Sequence, residues 1–590
     1  MKRALRQIVA LSILAALAWL SSPVPITHAA TTRQWPTRLQ ADATPADITL
    51  TRNLNVSIND ESGDVVGIGD FNGDRISDFL VSYTKVVHDS DNVLRQRMVK
   101  YGIFFGKPDP PEPARINIDK RTPDLTLDFD LTRISFISTV GDVNGDHIDD
   151  LMLIERVGDH ELGNLRILFG STRLQPGHLD VAQQTPGIQI INPEPAFAPV
   201  AVRVADLNGD GVNDLILADD PFSATRIYGV FGPFASGSTI DLRSPGAGLL
   251  ITDDSEAGSQ VLAPADVNGD GKADILLARS APAPATGIKP LQLDIVFGAA
   301  TLPSGREVSL TDGQADATVD IGFIVGGLAA GDINGDGSAD ILIGHTARFD
   351  GGPPLTAGWV DVIFGSRALH GHVAHVDVQI SGLPPRPSAP GLVDQASLVR
   401  HLGASIVVQD LNGDGFADMV LGTLGVQDSD REESLSPGRT HVIFGSADFG
   451  DVRLEKEEQD LTIIFGNNQR GSGSPVNVGD FNGDGLGDVL VNGIDISVYF
   501  GAPLRPPQIT QAKYNSNTED LTLTGMDFTG AARVEINGVD LDLQAAFRPE
   551  QGQLVVHGSR AQLNLRDGKN QAVLTRKGVR SNAVKIKVKG

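Results

Sequence analysis

The 590-residue sequence predicts an all-β chain: a ring of seven small antiparallel sheets, a β-propeller, followed by a separate β-sandwich. Three observations predict it. A nine-residue phrase, DxNGDxxxD, occurs seven times, its first aspartates 72, 64, 60, 66, 78 and 70 residues apart. Each copy runs straight into a short stretch rich in aliphatic residues. Each is then followed by a second stretch ending in Phe-Gly, at Phe105, Phe169, Phe231, Phe297, Phe364, Phe444 and Phe500, so that phrase and Phe-Gly alternate throughout. That period admits about four strands of ~5 residues plus connections. Four-stranded units repeated in this way close as a propeller. A linear β-helix, with repeats of roughly six to nine residues, does not fit the period.

Taken in order, residues 1–29 read as a secretory signal: Lys2, Arg3 and Arg6 precede an apolar run at 8–20, and Thr27-His28-Ala29 offers a small-residue cleavage site. The run is shorter than the ~20 residues of a membrane span, and no second one follows. A secreted product is therefore expected, in the periplasm, at the cell surface or extracellular, with no membrane span after cleavage. There is no cysteine, so no disulfide can staple the exported chain, and bound metal is expected to do so instead. Residues 30–46 show no hydrophobic period and read as a linker. The propeller is expected over 47–503 and the sandwich over 504–590.

The formal charge of −26 is unevenly spread: +3 over residues 1–29 and +5 over 504–590, leaving −34 between. Twenty-one of the intervening acids are aspartates of the repeated phrase. A field of that sign argues against nucleic acid or an anionic membrane as the main partner.

The phrase itself is metal chemistry. Position 1 is Asp70, Asp142, Asp206, Asp266, Asp332, Asp410 and Asp480; position 3 is Asn72, Asn144, Asn208, Asn268, Asn334, Asn412 and Asn482. Position 5 is Asp74, Asp146, Asp210, Asp270, Asp336, Asp414 and Asp484, and position 9 is Asp78, Asp150, Asp214, Asp274, Asp340, Asp418 and Asp488. Position 7 varies, over Ile76, Ile148, Val212, Lys272, Ser338, Phe416 and Leu486, as expected where only a backbone carbonyl is used. Hard oxygen donors at alternate positions of a Gly-containing turn suit Ca²⁺, up to seven ions in all. The metal-free alternative is a set of Asx turns. Three carboxylates within nine residues repel one another unless a cation lies between them. Position 6 is Gly in five loops but Arg75 and His147 in the first two, which are expected to bind less tightly. An EF-hand is excluded, because a strand rather than a helix follows each loop and no Glu stands at position 12.

Those strands are FLVSY at 79–83, LMLIE at 151–155, LILAD at 215–219, ILLAR at 275–279, ILIGH at 341–345, MVLGT at 419–423 and VLVNG at 489–493. Six of the Phe-Gly pairs are followed by further strand-like pieces, whereas none follows Gly501. The orphan segment 48–58, ITLTRNLNVSI, is what a seventh blade lacks. It is expected to supply that blade's outer strand, closing the ring and protecting a sheet edge. From 504 on, short strands between turn signals fill the length of one sandwich. Its last strand alternates Val584, Ile586 and Val588 with Lys585, Lys587 and Lys589, a pattern of one buried and one solvated face, with a basic binding strand as the functional alternative.

The alternation of DxNGDGxxD with Phe-Gly resembles the FG-GAP repeats of the integrin α-subunit head and of many secreted bacterial proteins, over 47–503. That resemblance implies a seven-bladed, integrin α-like propeller with Ca²⁺ in the hairpin between the first two strands of each blade. The Gly-Ala-Pro element that such repeats carry after the second strand is missing, VSYTK, ADDPF or GTLGV standing there instead. Residues 504–590 resemble an immunoglobulin-like domain of the IPT/TIG type, on LTLTGMDF, VEING and SNAVKIKV.

No GxSxG elbow, HExxH or phosphate-cradling loop is present, so no enzyme is expected. His370, His372 and His375 are expected as loop and edge-strand histidines, and Asp428, Asp430, Glu432 and Glu433 as a solvated loop. The connections 84–98, 218–225, 280–289, 346–357 and 423–439 vary most and are expected on the face opposite the metal loops, where a ligand would bind. The expected function is cell adhesion or another protein interaction without catalysis, the partner being a protein or surface ligand. A lectin or polysaccharide-degrading enzyme is the alternative. It is disfavoured because Trp35, Trp359 and five tyrosines provide no aromatic platform at blade spacing.

Overall fold

A computed structural model describes residues 38–40, 46–51, 65–88, 94–108, 114–117, 121, 122–128, 134–157, 161–181, 187–191, 201–218, 225–242, 248–255, 259–261, 264–280, 291–300, 306–322, 327–345, 358–382, 402–403, 405–423, 426–427, 434–436, 439–454, 458–464, 474–492, 496–503, 505–528, 532–541, 543, 545–548, 551–576 and 579–589. The chain divides into two units, Met1–Gln34 and Trp35–Gly590, and every described residue belongs to the second. The expected signal at 1–29 lies outside the described residues. Among those residues the regular structure is all strand, and no helix is long and apolar enough to cross a membrane.

Seven sheets make seven blades. The fifth is representative: Leu328–Gly331, Asp340–His345, Trp359–Ile363 and Val378–Ser381 pair antiparallel in that order. The second strand, DILIGH, is buried at every position, because both of its faces meet neighbouring blades. The same sandwiching explains why the stretch after each loop reads as a continuous apolar run and does not alternate.

Each sheet has five strands where four were expected. The piece directly after each Phe-Gly does not join its own blade; it crosses to the outer edge of the preceding one and pairs there in parallel. Gly177–Asp180 thus extends blade one, Ser238–Asp241 blade two, Arg306–Ser309 blade three, Gly371–Val373 blade four and Val452–Arg453 blade five. The second piece supplies the blade's own fourth strand.

The N-terminal segment replaces both pieces that the seventh repeat lacks. Ile48–Thr51 pairs antiparallel with Ile496–Tyr499 as the fourth strand of blade seven, and Ala114–Asn117 adds a fifth beside it. The segment read as linker, 30–46, contributes a strand of its own: Arg38–Gln40 runs parallel to Leu461–Ile464 and completes blade six. Three residues were too short to show a period in the sequence. The rest of the expected closing segment, 52–58, lies outside the described residues.

The propeller core is seven interblade clusters. The one spanning blades seven and one gathers Ile48, Leu50, Phe79, Val81, Phe104, Phe481 and Ile496, with Phe79 stacked on Phe481 at 4.4 Å between ring centroids. The ring is therefore closed by the same apolar packing that joins every other pair of blades.

Beyond residue 505, eight strands follow one continuous hydrogen-bonded path, joined where Gln508–Asn515 runs parallel to Val584–Lys589, and a ninth, Val579–Arg580, pairs with Gln571–Arg576 off that path. They curl around a single core that includes Tyr514, Leu521, Leu523, Phe528, Leu554 and Ile586. Two separate facing sheets were expected there. The alternation at the C-terminus is kept only in part: Ile586 is buried and Lys585 and Lys587 are exposed as expected, but Val584 is half-buried and Val588, expected on the buried face, is 39% exposed, because the core ends at Ile586.

Candidate metal centres

All seven nine-residue phrases form the hairpin between a blade's first and second strands, and their hydrogen bonding repeats position by position. In blade five, Oδ1 of Asp332 accepts from the N–H groups of Gly335 (2.7 Å) and Asp336 (3.1 Å), and its Oδ2 from Gly337 (2.9 Å). Asn334 Oδ1 accepts from Asp336 N–H at 2.8 Å, and Asp336 Oδ1 from Ser338 N–H at 2.9 Å. The bond from position 6 to position 1 is present in every loop. So is the bond from position 7 to position 5. Position 6 is left-handed throughout, and in the first two loops Arg75 (φ 72°) and His147 (φ 65°) adopt the conformation that Gly takes elsewhere.

Position 9 holds the loop to the rest of its blade. Asp340 is fully buried; its Oδ2 accepts from Ile333 N–H and its Oδ1 from Gly365 N–H, both at 2.9 Å. Gly365 is the glycine of Phe-Gly. The equivalent bond recurs from Gly106, Gly170, Gly232, Gly298, Gly445 and Gly501. The two motifs alternate in sequence because they bond to each other in space. The glycine is required by space as well: a Cβ at Gly365 would lie 2.4 Å from Ala339 O and 2.8 Å from Val267 O.

The loops are also bonded to one another. Ala339 N–H at position 8 donates to Asp266 O of the preceding loop at 2.7 Å, and Ser77 N–H does the same to Asp480 O at 2.7 Å, across the point of closure. Position 7 side chains cover the position 4 glycine of the preceding loop, Phe416 over Gly335 and Ile76 over Gly483 among them. Position 7 thus has a packing role that its variability in sequence hid.

Burial raises the position 9 carboxyls, with the carboxylates at positions 5 and 1 adding to the rise. Asp78 and Asp418 are pushed up to about 8, Asp150, Asp274 and Asp340 to about 7, and Asp214 to about 6. Asp488 is raised well above the usual carboxylate range for the same reason. Each loop carries hard oxygen donors of the type Ca²⁺ takes, three of them carboxylates whose charges oppose one another. The carboxylates are bonded into the turn by backbone N–H groups, and among the described residues no three acidic or imidazole groups converge on one point.

Other candidates separate. His372 lies on a blade edge, 3.4 Å from Asp320, His375 lies 3.6 Å from Asp377, and His370 packs edge-on against Phe297, so the three histidines do not share a site. The connection 84–98 is largely strand, in the long hairpin Asp78–His88 and Leu94–Phe104. Residues 219–224, 281–290, 346–357 and 428–433, which include most of the expected ligand face and the acidic run, lie outside the described residues.

One set of structural acids was missed. Asp124, Asp316, Asp377 and Asp460 precede their blade's fourth strand and accept the N–H of Phe105, Phe297, Phe364 and Phe444. In blade seven the acceptor is Asp47, 2.7 Å from Phe500 N–H. An Asp recurring 13 to 19 residues after the phenylalanine was the available signal.

No family model matches the chain. Over 117 residues it is 34% identical to phosphatidylinositol-glycan-specific phospholipase D of Bos taurus, a stretch that covers 17% of this chain and 13% of that protein. Among solved structures it is similar to the Dos1 propeller (11% identity, 78% of this chain and 90% of that one, TM-score 0.31). It is similar also to the exotype rhamnogalacturonan lyase YesX (12%, 77% and 76%, 0.32) and to a fungal alcohol oxidase of the AA5 family (9%, 89% and 96%, 0.29).

Proposed function

We propose that this chain is a secreted FG-GAP-type propeller, stabilised by Ca²⁺, that serves as a non-enzymatic adhesion or protein-interaction module. Its C-terminal region would be an IPT/TIG-type immunoglobulin-like domain acting as spacer or second contact. The observation that carries the proposal is the sevenfold hairpin whose nine residues hold side-chain oxygens at positions 1, 3, 5 and 9 and whose buried position 9 carboxyl is raised in part by the charges at positions 5 and 1. Side-chain oxygens at positions 1, 3, 5 and 9 with the carbonyl at position 7 would hold each ion, which would relieve that repulsion and tighten the hairpin. Because the same loops bond blade to blade, their order is transmitted around the ring, and the metal's part is structural. The ligand would then meet the opposite face, on the connections between second and third strands.

At ten times its dissociation constant each ion adds about 1.4 kcal/mol. Seven independent sites would therefore approach ~10 kcal/mol, comparable with a domain's whole stability. Thermal melting with Ca²⁺ and with a chelator tests this: a melt unchanged by chelation would defeat the calcium claim. A glycan array with lyase and hydrolase assays tests the rest, since saturable sugar binding by the propeller, or turnover, would replace adhesion with the carbohydrate reading.

A further inference from the structure

The outer face of the C-terminal sheet carries unbalanced positive charge on two adjacent central strands. Lys513 and Lys587 are register partners in the parallel pair Gln508–Asn515 and Val584–Lys589, and Lys585 follows two residues along. All three are exposed, and none has an ion-pair partner among the described residues. Adjacent strands lie about 4.8 Å apart, and residues i and i+2 about 6.7 Å, so the three ammonium groups share a small area. Like charges directly opposite are destabilising. Of the acids on this face, Glu535 is bound to Arg580 at 2.6 Å and Asp520 to His557 at 3.0 Å, and the exposed Asp540, opposite Glu535, lies three strands from Lys585. Arg548 extends the positive field at one edge.

The surroundings select the occupant. Around the lysines the face offers Gln511, Gln571, Thr522 and Thr524, amides and hydroxyls that can bond sugar hydroxyls. Its described residues include no aromatic anchor of the kind that centres a protein interface, and its one strongly exposed apolar side chain, Met526 at the end of the strand Asp520–Met526, stands alone, short of the apolar face that enters a bilayer. We propose that this face, centred on Lys513, Lys585 and Lys587, binds a linear polyanionic polysaccharide, its carboxylate or sulfate groups taking the lysines and its hydroxyls the flanking amides and threonines. The site is one contact of the binding module proposed above. Because it lies outside the propeller, its failure and the failure of the calcium or loop-face claims are read separately.

The test uses the full mature chain with Ca²⁺ present and measures binding to immobilised polygalacturonate and dextran sulfate, with neutral dextran as the blank. The variant Lys513→Gln/Lys585→Gln/Lys587→Gln is compared with Arg560→Gln/Arg566→Gln/Lys569→Gln, which removes the same charge from exposed positions on the turn before the strand Gln571–Arg576. Wild type is expected to bind both polyanions and to weaken steeply between about 50 and 300 mM salt, and the face variant to lose about tenfold. The control variant is expected to stay within about twofold of wild type. Equal loss in both variants would overturn the site in favour of a diffuse charge effect. Absence of polyanion binding would overturn it outright. So would face-variant-sensitive binding to phosphatidylglycerol vesicles in place of the polysaccharides, or face-variant-sensitive self-association in sedimentation, which would assign the face to a membrane or to the acidic propeller of a second copy.

Discussion

Removing the N-terminal strands should open the ring, and two point changes should begin to do so. Leu50 has no exposed surface and packs in the cluster that joins blades seven and one. Truncating such a leucine to alanine costs roughly 2–5 kcal/mol. Asp47→Ala would take away the acceptor of Phe500 N–H, and an unpaired buried donor costs about 1–3 kcal/mol. The residues share one short segment, so their effects need not add. Together they still span about 3–8 kcal/mol against a typical total of about 5–15. The assay is thermal melting with limited proteolysis, on the double variant and on a chain beginning at residue 60. Both should melt lower and be cut sooner within blades six and seven, and a synthetic peptide of residues 35–58 should restore part of the loss to the shortened chain. If the shortened chain melts within about a degree of the full one, the N-terminal segment does not close the ring.

Gly365→Ala should destabilise by about 1–3 kcal/mol or more, because its Cβ would press on two backbone carbonyls. Gly337→Ala, where a Cβ meets open space at φ +88°, should lose about 1 kcal/mol in chemical denaturation of the same preparation. Arg75→Gly and His147→Gly should each gain about 1 kcal/mol by relieving left-handed backbone; calcium titration should find the first two loops tighter, and an unchanged midpoint would show that those turns carry no strain. His441 is pushed down to about 3 by burial, with Arg439 nearby. Its folded pKa lies below the unfolded value of about 6.5, so the neutral ring's contribution is full above that value and is lost as the pH falls toward 3. Melting of wild type against His441→Leu from pH 7 to pH 4 should show the wild type losing the more; parallel curves would refute it.

The repeat was legible because its chemistry is local. Nine residues such as those at 332–340 contain nearly all the partners of their own turn, so the hairpin could be read without knowing the fold. Blade number followed from counting Asp70, Asp142 and their successors, and the closing role of Ile48–Thr51 from noticing what followed Gly501. What stayed hidden was pairing at a distance. Nothing near Phe364 states that the next glycine bonds Asp340, and nothing near Leu179 states that its strand belongs to the previous blade. Arg38–Gln40 was invisible for a further reason: parallel pairing at a sheet edge needs backbone and little apolar pattern, and three residues cannot display a period. Position 7 misled in its own way, since a residue that caps a glycine of the neighbouring loop can be Ile, Lys, Ser or Phe and so looks unconstrained.

Because each repeat lends a strand to its predecessor, the unit of sequence and the unit of space are out of phase. A cut at the end of any repeat severs a sheet, and a cut at the edge of any sheet severs a repeat. Duplicating such a repeat in the gene therefore yields modules already interlaced, and the ring has no seam at which one blade could come away while its neighbours stay folded. A blade that opens should take part of its neighbour's sheet with it, as loss of the N-terminal strands would loosen blades six and seven together.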